Sequence, residues 1–185
     1  MRNYSGIAGL KFEVQDGLEN PSGIKEQAYL FWRNSIETEA LPSAVGTTAA
    51  SIVTITTDHI LKDGTYGIPC QPMYEKSGLA FKLAGEVGSK IMETDIELFV
   101  PQVEADAIGG IVSLKNFRGI LFIRRPSQTT GFIQVGSKEM TLKMQDIPGG
   151  LGTGPGGEVG YKLTLKAYDF TPWYVYEGDL PEVAP

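Results

Sequence analysis

The sequence predicts a mainly β protein: a β-sandwich or barrel with one flanking α-helix and a long β-hairpin that carries a glycine-rich loop. Three observations predict it. Apolar and polar residues alternate with a period of two in several separate stretches, the pattern of a half-buried strand. The 23 glycines and 11 prolines fall between those stretches as turn punctuation. Only one stretch, after Pro101, repeats its apolar residues at helical spacing.

In chain order, residues 7–14 give the first candidate strand, followed by the least patterned part of the chain, residues 16–48. Within it "EQAYLFWRNSIETEAL" suits a short helix or a loop carrying hydrophobic anchors, with Tyr29, Phe31 and Trp32 read as core before interface. Residues 1–48 are expected to form an N-terminal arm with a first strand, 49–178 the β-domain and 179–185 a tail. Further strands are expected at 51–57, 79–87, 91–100, 119–125 and 132–135. Lys62-Asp63-Gly64-Thr65 reads as a tight turn, which makes residues 60–67 a candidate small hairpin. "GILFI" at 119–123 is apolar on both faces and is expected to be a fully buried central strand.

The helix is expected where Val103, Ala107, Ile108, Ile111 and Leu114 share one stripe. Glu104 and Asp106 near its start favour the dipole, and Gly109 and Gly110 weaken it by about 1 kcal/mol each. The long hairpin runs from 138 to 169. Met140, Leu142 and Met144 alternate with polar residues before the glycines, and Val159, Tyr161, Leu163, Leu165 and Ala167 do so after them. Six of the nine residues from 149 to 157 are glycine, so the loop of Gly149, Gly150, Gly152, Gly154, Gly156 and Gly157 is expected to stay mobile until a partner orders it.

Residues 152–157 also satisfy G-x-G-x-x-G. In a dinucleotide site that pattern opens a helix whose amides hold the pyrophosphate, whereas here a strand pattern follows and Pro155 removes a donor. No nucleotide or other cofactor is expected. His59 is the only histidine and Cys70 the only cysteine, which leaves no histidine-rich metal set and no internal disulfide. A Cys70–His59 nucleophile–base dyad would lack an orienting third group and an oxyanion-hole motif. No catalytic residue is assigned. The chain has 185 residues and a net charge of −6, from 16 basic and 22 acidic residues, which opposes general affinity for nucleic-acid phosphates. There is no apolar run long enough to span a membrane, and "MRNYSGIAGLKFEV" lacks the apolar core and cleavage site of a leader. Glu93, Asp95 and Glu97 alternate with apolar neighbours, so one strand is expected to show a solvated row of three carboxylates.

The order "RGILFIRR", "GFIQVG", a long alternating strand, the glycine loop, a second long strand and "FTPWYVYEG" resembles bacteriophage tail tube proteins. The resemblance covers about residues 79–178. It implies a structural virion protein without enzymatic activity, made in the host cytoplasm and assembled as hexameric rings stacked into a tube. Tape measure and terminator proteins would be its neighbours, no membrane would be involved, and DNA would pass through without specific binding. On this reading Glu93, Asp95 and Glu97 face the lumen and the glycine loop contacts the next ring. Other expectations are a head–tail connector or tail terminator, or a carbohydrate-binding β-sandwich with Trp173, Tyr174 and Tyr176 as a stacking platform.

Overall fold

A computed structural model describes residues 21–42, 48–153 and 157–183. The expected strand at 7–14 lies outside them. The strands are β1 (Ala28–Trp32), β2 (Ile36–Thr38), β3 (Thr54–Ile55), β4 (Ile60–Leu61), β5 (Ile68–Cys70), β6 (Gly78–Ala84) and β7 (Ile91–Val100). The helix α1 (Ala105–Leu114) follows, and then β8 (Arg118–Ile123), β9 (Phe132–Val135), β10 (Leu142–Asp146), β11 (Gly149–Gly150), β12 (Gly160–Asp169) and β13 (Tyr174–Tyr176). The main sheet runs β3-β13-β9-β8-β10-β12-β7-β6, with β1 also paired to β8, β5 to β1 and β11 to β12; β2 and β4 form a separate pair. Every pairing in the main sheet is antiparallel except that of β13 with β3.

The centre is β8. Ile120, Leu121, Phe122 and Ile123 are all buried, as an apolar run on both faces requires. The reason is visible in its neighbours. Along one edge β8 pairs with β1, and the other edge is shared by β10, at Arg118 and Gly119, and β9, at 121–123. The sheet therefore divides at β8 into two leaves. Leu121 and Val135 from one leaf share a buried cluster with Ile96, Leu98 and Leu165 from the other, so the leaves face each other as in a sandwich. Ile120 and Phe122 point the opposite way, into a second cluster with Phe31, Ile36, Ile55, Tyr174 and Tyr176. The sheet is open, and no barrel closes among the described residues.

Two expectations are corrected. "AYLFW" is neither a helix nor a loop but β1, which lies inside the sheet with Leu30 and Phe31 buried on opposite faces. Its apolar residues are consecutive because both faces are covered, which hides the two-residue period. The turn at 62–65 exists, closed by the Thr65 N–H to the Lys62 carbonyl at 3.1 Å with Gly64 at φ +72°, but it does not make a hairpin. Its flanks pair elsewhere, β4 with β2 and β5 with β1. The helix lies where its stripe predicts and buries Ala107 and Leu114, whereas Ile108 of the same stripe is exposed and Val103 precedes the helix. The long hairpin of β10 and β12 forms as well.

Gly119 explains how tightly β1 and β8 approach. A Cβ there would lie 1.8 Å from the Phe31 carbonyl oxygen, so only glycine fits the junction where the two leaves part.

A candidate assembly surface

The leaf built from β6, β7, β12 and β10 has one face on the core and one in solvent. β7 pairs with β12 over nine positions and with β6 over seven, which fixes what stands beside each carboxylate of the acidic row. Glu93 is opposite Lys82 and Tyr168, Asp95 is opposite Lys166 and Ala80, and Glu97 is opposite Thr164 and Gly78. The row is not bare. Lys166 Nζ lies 2.6 Å from Glu93 Oε1 and 3.1 Å from Asp95 Oδ1, Lys82 Nζ 3.2 Å from Glu93 Oε1, and Lys162 Nζ 3.2 Å from Glu97 Oε2.

Three lysines thus pair with the three carboxylates as a ladder of ion pairs, and Lys143 and Arg118, next in register across β10 and β8, add positive charge to the same face. The hydrogen bond from Lys166, helped by Lys82, holds the Glu93 carboxyl below its usual range, and Glu93 in turn raises Lys166. Both stay charged at neutral pH. A solvated, uncompensated row was the expectation from β7 alone. Glu93 is in fact buried, and the compensating charges come from strands β6 and β12, which the β7 sequence cannot show.

The edges of this leaf are open. Among the described residues β6 pairs with β7 on one side only and is the last strand of the sheet. Its core-side residues Phe81 and Leu83 are 51% and 58% exposed, because the strand overhangs the core, and Trp173 packs edge-on against Phe81 at 5.2 Å between centroids. At the other side of the leaf, β10 pairs with β8 only at Leu142 and Lys143. Beyond these and the Met144 N–H to Phe117 carbonyl bond, the outer edge at Gln145 and Asp146 has no strand partner among the described residues. A long, apolar, unpaired edge is a template for strand addition.

The glycine-rich segment sits at the end of the leaf where β6 starts, with Lys76 and Glu158 joined by a salt bridge. Contrary to the expected free loop, Gly149 and Gly150 are already paired with Tyr161 and Gly160 as β11. Gly152 has φ +73°, and Gly157 closes back on it so tightly that a Cβ would meet Thr153 N at 2.2 Å. Gly154 and Gly156 lie outside the described residues. After the loop comes the strand β12 and not a helix, so the dinucleotide geometry is missing.

The other sequence candidates separate. His59 is buried and uses both ring nitrogens: Nδ1 accepts from the Ala40 N–H at 3.0 Å, so Nε2 carries the proton and donates to Gln134 Oε1 at 2.7 Å. It is stacked on Tyr176 with ring centroids 4.9 Å apart. Burial lowers its pKa. No nitrogen is left to take a thiol proton. Cys70 packs on the other core cluster, where burial pushes its thiol up to about 12. Tyr174 and Tyr176 are buried, which removes the sugar-stacking platform. Among the described residues no group of three or more His, Cys, Asp or Glu side chains is placed to hold a metal ion.

Sequence reasoning missed Glu39. Desolvation raises its carboxyl to about 7, although its Oε1 accepts the Lys138 N–H at 2.8 Å. Nothing in the local pattern around residue 39 signals a half-buried acid.

Comparison with protein-family models, with curated proteins and with solved structures gives no match for this chain.

Proposed function

We propose that this chain is a structural subunit that assembles with copies of itself into rings stacked as a tube, of the kind found in phage tails, and that it performs no catalysis. The observation that carries the reading is the open leaf. Its last strand β6 pairs with β7 along one side, has no partner among the described residues along the other, and displays Phe81 and Leu83, while the opposite edge is open at the end of β10. An edge on one side of a subunit that pairs with the other side of the next is a heterologous contact, and such contacts close into rings when the rotation fits. Closure would remove both edges and continue the four strands into an inner barrel.

The ladder of Lys82, Lys162 and Lys166 with Glu93, Asp95 and Glu97 would then line the lumen. Its ion pairs suit a conduit, because a lysine held by a carboxylate attracts a polyanion less than a bare one does. The resemblance in strand order supports the phage tail setting. Negative-stain electron microscopy of concentrated protein is the test, with rings or tubes expected. A monomer at all concentrations, with no ring under any nucleating condition, would reject the proposal.

A further inference from the structure

The turn between β6 and β7 carries an exposed apolar residue where turns usually carry polar ones. Val87 is 93% exposed, yet the turn is ordered: the Ser89 N–H donates to the Glu86 carbonyl at 3.0 Å, and Gly88 takes φ +95°, as a type II turn requires of its third residue. A β-branched side chain is thus held out from the molecule on a closed turn.

At the opposite end of the same strand, Gly78 and Leu79 border a cavity of about 630 Å³. Ile24, Tyr74, Ile133 and Trp173 give it apolar walls, and its rim carries Glu75, Arg124 and Arg125. The Arg124 guanidinium is fixed over the Phe132 ring at 3.9 Å, with Nε donating to the Gly131 carbonyl at 2.9 Å.

We propose that the Val87 turn of one copy seats in this cavity of the next copy, along the direction of β6. This rests on the assembly reading above and adds the contact that stacks one ring on another. Three features fit. The turn has Glu86 on one leg and Lys90 on the other, and the rim offers Arg124 and Arg125 for the first and Glu75 for the second. Knob and socket lie at opposite ends of a strand about 20 Å long, so they cannot meet within one chain. A knob and socket displaced along one direction repeat without closing, the geometry of a stack.

The test uses the full chain and measures elongation by sedimentation velocity and electron microscopy. Val87→Asp leaves the fold unchanged by circular dichroism, since the side chain touches solvent, and weakens stacking at least about tenfold through loss of one buried valine. Glu86→Lys and Arg125→Glu each weaken it, and the double variant recovers part of the loss. With dissolved oxygen and a copper catalyst added as oxidant, a Val87→Cys/Glu75→Cys variant forms disulfide ladders between copies, while native Cys70 reacts slowly. Stacking of Val87→Asp equal to the parent overturns the inference and leaves the ring reading intact, and it is also the result expected if residues 1–20 or another protein occupy the cavity. Rings that no longer stack support it. A parent that never forms rings overturns both.

Discussion

Replacing Phe81 and Leu83 by threonine tests whether β6 is an assembly edge. Threonine keeps the β preference of the strand, so the change is chiefly one of apolar area. An aromatic side chain buries roughly 150–250 Å² when fully enclosed, and about half of Phe81 is still exposed in the single chain. Enclosing the remaining ~100 Å² contributes about 2.5 kcal/mol at ~25 cal/mol per Å². Leu83, a little more than half exposed, adds about 1 kcal/mol by the same reasoning. Each subunit contact is therefore weakened by about 3–4 kcal/mol, a factor of roughly 10² to 10³ in association. Loss of the packing on Trp173 also lowers monomer stability, by about 1–2 kcal/mol, which thermal denaturation of the dispersed protein measures separately. Sedimentation velocity over a concentration series reads the association itself. An association constant equal to the parent's, with the variant folded, would refute the reasoning, because it would mean that β6 stays exposed in whatever assembly forms.

The remaining expectations concern the single chain. His59 is neutral in the fold and its pKa is lowered by burial, so stability is full above about pH 6.5 and falls as pH drops below that value and the unfolded chain binds a proton first; a denaturation series from pH 7.5 to 5 shows the loss, and a His59→Gln variant flattens it. Glu39 has the opposite sign: its folded pKa is raised from 4.5 to about 7, so the fold loses stability as pH rises through that window. Glu39→Gln, which still offers an oxygen to the Lys138 N–H, is expected to stabilise by about 1–2 kcal/mol at pH 8, allowing for solvent screening, and to make no difference at pH 4. Gly119→Ala drives a Cβ into the Phe31 carbonyl and is expected to cost about 3 kcal/mol or more, read as a loss of folded protein in urea titration.

Elements with one face in solvent were legible in the sequence. β7 and α1 match the predicted spans closely because each shows its period, and β9 matches although all four of its residues are buried. β8 was legible for the contrary reason, since a run apolar on both faces can only be central. β1 carries the same signature in "AYLFW" and was obscured by the helix-compatible residues on either side. β2–β4 depends on pairing across more than twenty residues of sequence, which no local pattern encodes. The charged face was half legible. Alternation placed Glu93, Asp95 and Glu97 on one face, as found. Their neutralisation by Lys82, Lys162 and Lys166 belongs to the register between three strands, and register is a tertiary fact. The edge character of β6 depends in the same way on which strand ends the sheet.

Hydrogen exchange across residues 78–84 tests the assembly claim most directly, comparing dispersed protein with protein concentrated to the point where rings or tubes form. An unpaired edge exchanges its outward amides quickly, whereas a strand paired on both sides is protected with the stability of the assembly. The account predicts fast exchange in β6 when dispersed and strong protection on assembly, with matching protection at Gln145 and Asp146. Assemblies in which both segments exchange as fast as in the dispersed chain would contradict it.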